Sequence, residues 1–242
     1  MSAPAGRIFE VASLELAYEP APWAFAVARA DEIAANWATR KARLPRLFDG
    51  RVLLAGRHAF ETRADGATIL RGAFFETAYS AFLAWRDFGF PDDGVRNCFS
   101  MAALQGADGG FLLGEMAAHT ANAGAVYFAA GTPDRSDVFG DRVDLAASVR
   151  RELMEETGIA PDEVFEVPGW TIVEAPPRVA CMKIMRTTAT AARVQARIED
   201  FLAADPDAEL RRIHVVRKRR DIEALACPAF VVDFLRHALT GG

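Results

Sequence analysis

Residues 151–159, Arg-Glu-Leu-Met-Glu-Glu-Thr-Gly-Ile (RELMEETGI), crowd Glu152, Glu155 and Glu156 into one short segment. A helix brings positions three and four apart onto one face, so Glu155 and Glu156 both stand one turn above Glu152. Like charges that close repel unless a cation lies between them, and carboxylate oxygens suit a hard divalent ion. The competing reading is a solvated acidic surface, which is what most charge runs are. On the opposite face Leu145, Val149 and Leu153 recur every four residues, an apolar stripe that anchors a helix on a core. Asp144 is placed to cap the first turn. Gly158 is placed to stop the helix in a left-handed conformation, with Ile159 turning back towards the interior.

Taken whole, RELMEETGI resembles the Arg-Glu-apolar-x-Glu-Glu-x-Gly-apolar half of the Nudix box, and in this stretch the chain is similar to the Nudix hydrolases. The upstream half departs from the family pattern. Counting back from Arg151, the family's glutamate position falls on Val143 and its glycine position on Asp137. Gly131, in YFAAGTPDRSD, resembles the strand-to-loop passage that opens the box, with a longer loop behind it. The resemblance implies an α/β fold, a Nudix-type α/β/α sandwich with a mixed sheet. It also implies a hydrolase of acid anhydrides, in which water attacks a phosphorus atom of a diphosphate. Glu152, Glu155 and Glu156 would hold Mg²⁺ or Mn²⁺, with Glu152 or Glu156 doubling as general base, and Arg151 would orient a metal-binding carboxylate. Gly131 and His119 are the residues it points to on the substrate side, although a lone loop histidine equally suits solvent. Glu174, Glu199 and Glu209 are candidates for a further acidic ligand or base from a later loop.

The segment DEIAANWATRKARLPRLFDGRVLL resembles a stretch that precedes the Nudix domain in some sugar-nucleotide diphosphatases, through Trp37, Arg40, Leu47, Phe48 and Asp49. Plain packing onto the rest of the chain is the simpler reading of Trp37 and Phe48. A sugar nucleotide is nonetheless the leading expectation for the small-molecule nucleoside diphosphate derivative, with ADP-ribose, a dinucleotide or coenzyme A as alternatives. The stretch LLGEMAAHTANAGAVYF lacks arginine and carries Glu115 where coenzyme A-directed members commonly have a basic residue. A Nudix fold kept as a non-catalytic ligand-binding module is the reading from another class. Loss of box glutamates marks such modules, and all three glutamates are present here.

At 242 residues and 51% apolar, the chain can bury a substantial core. A net charge of −5 argues against nucleic-acid and anionic-membrane partners, which are gripped by basic patches. The run Arg217, Lys218, Arg219, Arg220 reads as a solvated turn. The opening residues MSAPAGRIFE lack the apolar region of a signal peptide, and no apolar run reaches the ~18 residues that span a bilayer. Cys98, Cys181 and Cys227 show no zinc spacing and read as reduced thiols, which together with the missing signal places the chain in the cytoplasm.

Punctuation divides the chain near residue 95, into an extension (1–95) and a Nudix domain (96–242). In the extension a strand is expected from Arg7 to Ala17, a helix from Ala26 to Arg43, two strands about the Asp65-Gly66 turn, and an aromatic helix from Tyr79 to Phe88. After it come strands in CFSMAALQ, FLLGEM and AVYFAA, the box helix, strands at Val167–Glu174 and Arg178–Thr187, a helix at Ala191–Ala204, a strand at IHVV and a closing helix at Pro228–Leu239. The extension is rich in aromatics, which must be covered by the rest of the chain or by a second copy, the latter giving a homodimer.

Overall fold

The computed structural model describes residues 6–239; Met1–Ala5, part of the segment read above for a signal peptide, lie outside it. The chain opens with β1 (Arg7–Val11) and β2 (Ser13–Tyr18), then α1 (Ala24–Ala28) and α2 (Ala30–Arg43). A long hairpin follows, β3 (Arg51–Thr62) and β4 (Thr68–Ala78), and then α3 (Tyr79–Asp87). The second part runs through β5 (Asn97–Gln105), β6 (Phe111–Met116), β7 (Val126–Tyr127), β8 (Val138–Phe139) and β9 (Arg142–Val143) to α4 (Leu145–Thr157). It ends with β10 (Phe165–Glu166), β11 (Trp170–Ala175), β12 (Arg178–Arg186), α5 (Ala191–Ala203), β13 (Leu210–Val216), α6 (Arg219–Ile222) and α7 (Ala229–Ala238).

The larger sheet has the order β1-β11-β12-β5-β6-β13, with β10 added beside β12 and β7 beside β6. It is mixed: β12 and β5 run parallel, while β1 with β11 and β13 with β6 are antiparallel. Side chains alternate across the pleat. In β5, Cys98, Ala102 and Leu104 face the cluster built by α4 and α5, whereas Phe99, Met101 and Ala103 face that of α7. Helices therefore cover both faces, an α/β/α arrangement, and Leu145, Val149 and Leu153 carry α4 onto the sheet almost fully buried. Each such side chain contributes about 1.5–3 kcal/mol relative to exposure.

The smaller sheet has the order β3-β4-β2-β9-β8. One of its faces, through Leu16, Leu53, Leu70 and Phe74, joins the same apolar cluster as α4. The other is capped by α1, α2 and α3 around Trp23, Phe25, Ile33, Phe82 and Trp85. The aromatic residues of the extension are thus largely covered within one chain; Phe48, 81% exposed, is not, and Trp37 packs edge-on against Tyr79.

Residues 7–17, expected to form one strand, break at Ala12. The two halves serve different sheets: β1 pairs with β11, while β2 pairs in parallel with β4 and meets β9 at Ala17 opposite Arg142. The Ala12 N–H itself donates to Thr68 O at 2.7 Å. AVYFAA keeps only Val126–Tyr127 as strand, and β11 begins at Trp170. Strand hydrogen bonds therefore cross residue 95 in both directions.

Candidate active site

Helix α4 begins where Asp144 accepts from the N–H groups of Ala146 and Ala147, at 2.9 and 3.0 Å, a cap worth about 1 kcal/mol. It ends at Gly158, φ 67°, in the left-handed region. Between these stops, with the apolar stripe buried, the face carrying Arg151, Glu152, Glu155 and Glu156 has one orientation available. Glu155 is exposed, Glu152 is partly buried and Glu156 is 9% exposed.

Arg151 organises this face. Its Nη1 donates to Glu152 Oε1 at 2.8 Å and to Glu155 Oε2 at 3.3 Å, while Nη2 reaches both oxygens of Asp137 at 3.2 Å. Burial works against the guanidinium charge, but Glu152, Asp137 and Glu155 together hold its pKa above the ordinary arginine value. Asp137 is 2% exposed and also accepts from the Asp134 N–H at 3.0 Å. Reading the sequence placed Asp137 only as a mismatch in the upstream half of the box. Its burial beside Arg151 is a tertiary fact, and a loop aspartate carries no signal for it.

Gly131 and α4 meet directly. A β-carbon at Gly131 would fall 2.0 Å from Glu152 Oε1, so only glycine leaves that carboxylate room. The neighbouring Ala130 N–H donates to Glu156 Oε1 at 3.4 Å, and Glu156 Oε2 is buried with no hydrogen-bond partner. Burial pushes the Glu152 carboxyl up to about 7, against the pull of Arg151. Burial, and then the charges of Glu152 and Glu209, push Glu156 well above the ordinary carboxylate range.

Of the later acidic candidates, Glu209 joins this group. It lines, with Glu152, Glu155, Glu156, Asp205 and Asp207, a small cleft of about 140 Å³. Glu199 stands exposed on α5, and Glu174 lies elsewhere, bonded to His58. His119 is exposed in the loop after β6 and does not line this cleft.

The donor set suits a hard divalent cation: oxygen ligands only, crowded negative charge and one orphaned buried carboxylate oxygen. Among the described residues no three His, Cys, Asp or Glu side chains converge closely enough to enclose an ion as they stand; Glu152 and Glu155 are bonded to Arg151 instead.

A second, far larger cavity of about 1060 Å³ opens beside the acidic face and touches it at Ala130, Gly131 and Thr132. Its walls come from both parts of the chain: Tyr79, Phe82, Arg86 and Phe90 from the extension, and Phe99, Tyr127 and Arg178 among those from the larger sheet. Burial raises the Tyr127 hydroxyl to about 12, so it stays protonated there.

No protein-family model and no curated protein matches the chain. Solved structures similar to it include a MutT protein from Methanosarcina mazei Go1, at 21% identity and a TM-score of 0.38, over 59% of this chain and 92% of the other. The Nudix hydrolase RenU from M. smegmatis is similar at 13% identity and a TM-score of 0.36, over 58% and 81%. A NUDIX hydrolase from Nitrosomonas europaea is similar at 15% identity and a TM-score of 0.36, over 60% and 90%.

Proposed function

We propose that this chain is a metal-dependent hydrolase that cleaves the diphosphate linkage of a nucleoside diphosphate joined to another moiety. The observation that carries the reading is the acidic face of α4, with its orphaned Glu156 oxygen, set at the edge of a cavity large enough for a nucleotide derivative. Glu152, Glu155 and Glu156 would hold Mg²⁺ or Mn²⁺. Such an ion neutralises phosphoryl oxygens and lowers the pKa of a bound water.

The protein's own residues supply the rest. Asp137 fixes Arg151, and Arg151 holds Glu152 and Glu155 on one side of the cleft. Gly131 lets Glu152 reach the cavity's edge. The Glu152–Glu156 pair, the carboxylates that meet Gly131 and Ala130 at the cavity's edge, is where the attacking water's proton would go. Crowded carboxylates titrate together, and the pair acts as a unit. The cavity's aromatic and arginine lining suits a ligand with a ring and an anionic group, as a sugar nucleotide, ADP-ribose, a dinucleotide and coenzyme A all have.

The test is a panel of these compounds assayed with and without Mg²⁺ or Mn²⁺, with products identified by mass. Divalent-dependent cleavage of a diphosphate linkage, abolished in E156Q, is the expected result. No cleavage of any member with either metal sinks the reading.

A further inference from the structure

Two of the arginines lining the large cavity make no ion pair among the described residues. Glu174, the one carboxylate on its lining among the described residues, is already held 2.7 Å from His58 Nε2 and 3.5 Å from Arg7 Nη1. Arg178, at the start of β12, makes no hydrogen bond or ion pair among the described residues; its guanidinium carbon lies 5.5 Å from the Phe90 ring centroid. Arg86, in the last turn of α3, donates at 3.3 Å to the neutral amide oxygen of Asn122 and pairs with no carboxylate among the described residues. Both side chains line the same space.

A guanidinium carries five N–H donors and stays charged, so a partly buried one without an acceptor is held at a cost. Burial, and then the charge of Arg86, hold Arg178 below the ordinary arginine value, so the two cations stand near enough to repel. An anion between them relieves both penalties. The planar fork of arginine matches the oxygens of a phosphoryl group. Tyr79, Phe82, Phe90, Phe99 and Phe230 line the same space, an aromatic wall of the kind on which a flat base packs.

We infer that Arg86 and Arg178 form a phosphate-binding subsite, and that the cavity takes a nucleoside phosphate with its phosphoryl group on the two guanidiniums and its base against the aromatic wall. The inference rests on the hydrolase reading only for placing the scissile linkage near Gly131. Since Arg86 lies before residue 95 and Arg178 after it, the binding site is completed by the extension.

The experiment is isothermal titration of the full chain, without divalent cation, with AMP, GMP, CMP and UMP, each beside its nucleoside. Wild type, R86M, R178M and R178K are compared after thermal melts establish that each is folded. Arg86 is partly exposed on a helix end, so R86M serves if R178M does not fold. The favoured nucleotide should bind wild type and weaken by about tenfold or more in each methionine variant, the loss of one charge-assisted contact. Binding of its nucleoside should stay nearly the same, and R178K should recover part of the loss. Unchanged nucleotide affinity in both methionine variants overturns the subsite, as does a wild type that binds none of the four at millimolar concentration. Arginine-dependent binding in a protein that cleaves no diphosphate keeps the subsite and sinks the hydrolase reading. Cleavage with an unchanged KM in both methionine variants does the reverse.

Discussion

Gly131 and Glu152 occupy each other's space: a β-carbon on the glycine would sit 2.0 Å from Glu152 Oε1 and 2.4 Å from its carboxyl carbon. The atoms in the way are the far end of a flexible side chain, so alanine here need not disturb the backbone. It must displace the carboxylate. G131A is therefore expected to melt close to wild type while turnover falls by about 100-fold, the scale on which a 1 Å misplacement acts. Wild-type turnover in G131A would show that the position of Glu152 is immaterial to the reaction.

Asp137 supplies the buried counter-charge that holds Arg151 away from a purely local embrace with the glutamates. In D137N the amide keeps the shape and loses the charge. Stability should drop by about 1–3 kcal/mol, since a buried charge-assisted contact is weakened but Arg151 remains partly exposed. Turnover should fall more than the loss of folded protein explains. Urea unfolding alongside steady-state kinetics separates the two, and a fully active, fully stable D137N removes the positioning role.

Glu156 is buried, lacks a partner for Oε2 and carries a carboxyl pKa raised first by burial and then by Glu152 and Glu209. A folded-state pKa above the unfolded value makes the native protein the better proton binder, so stability falls as pH rises past the ordinary carboxylate range. Without divalent cation, E156Q should thus be at least as stable as wild type at pH 7, and the difference should shrink below about pH 4, where both unfolded chains are neutral at this position. Adding Mg²⁺ should reverse the order, raising the wild-type Tm but not that of E156Q. Calorimetry at both pH values with and without Mg²⁺ decides it; equal Mg²⁺ shifts in the two proteins exclude Glu156 as a ligand.

What could be read in the sequence follows how local the cause is. The α4 caps at Asp144 and Gly158, and the stripe Leu145–Val149–Leu153, are set by neighbours within a few residues and stand where the pattern placed them. The turn at Asp65-Gly66 and the closing helix are of the same kind. The break at Ala12 was illegible, because residues 7–17 alternate without punctuation and only the partners, β11 on one side and β4 on the other, divide them. Asp137 and Arg178 were missed for the same reason: their roles are created by contacts distant in sequence. Glu209 could be named but not preferred over Glu174 and Glu199 until the loop before β13 was seen beside α4.

Gly158 combines two constraints. Its φ of 67° is one that side-chain-bearing residues adopt at a cost of about 1–2 kcal/mol. A β-carbon there would also meet the Phe201 ring at 2.6 Å. G158V should lower stability by about 2–4 kcal/mol, strain and overpacking together, and carry Glu155 and Glu156 with the displaced helix end. G158A already carries that β-carbon and so combines the strain with the first contact on Phe201; it should fall between glycine and valine. An unchanged urea midpoint in G158V would falsify the left-handed stop.

The extension is expected to be inseparable from the domain it precedes. A chain beginning at Arg96 loses β1, whose five residues pair with Arg7 opposite Glu174 through Val11 opposite Trp170, and so bares the β11 edge. It loses β2, leaving the β8–β9 hairpin without the sheet it extends. It also strips Leu16, Leu53, Leu70 and Phe74 from the cluster that holds Leu145 and Val149, uncovering apolar surface beside α4. An exposed strand edge next to bare apolar side chains is a template for association. The shortened chain should therefore be recovered in inclusion bodies or as large aggregates by size exclusion. Any folded fraction should lack the cavity wall formed by Tyr79, Phe82 and Arg86, and so should lose selectivity among substrates before it loses the acidic face. A soluble, monodisperse fragment from Arg96 onward with the parent's substrate ranking would show that neither the strand pairing nor that wall is needed.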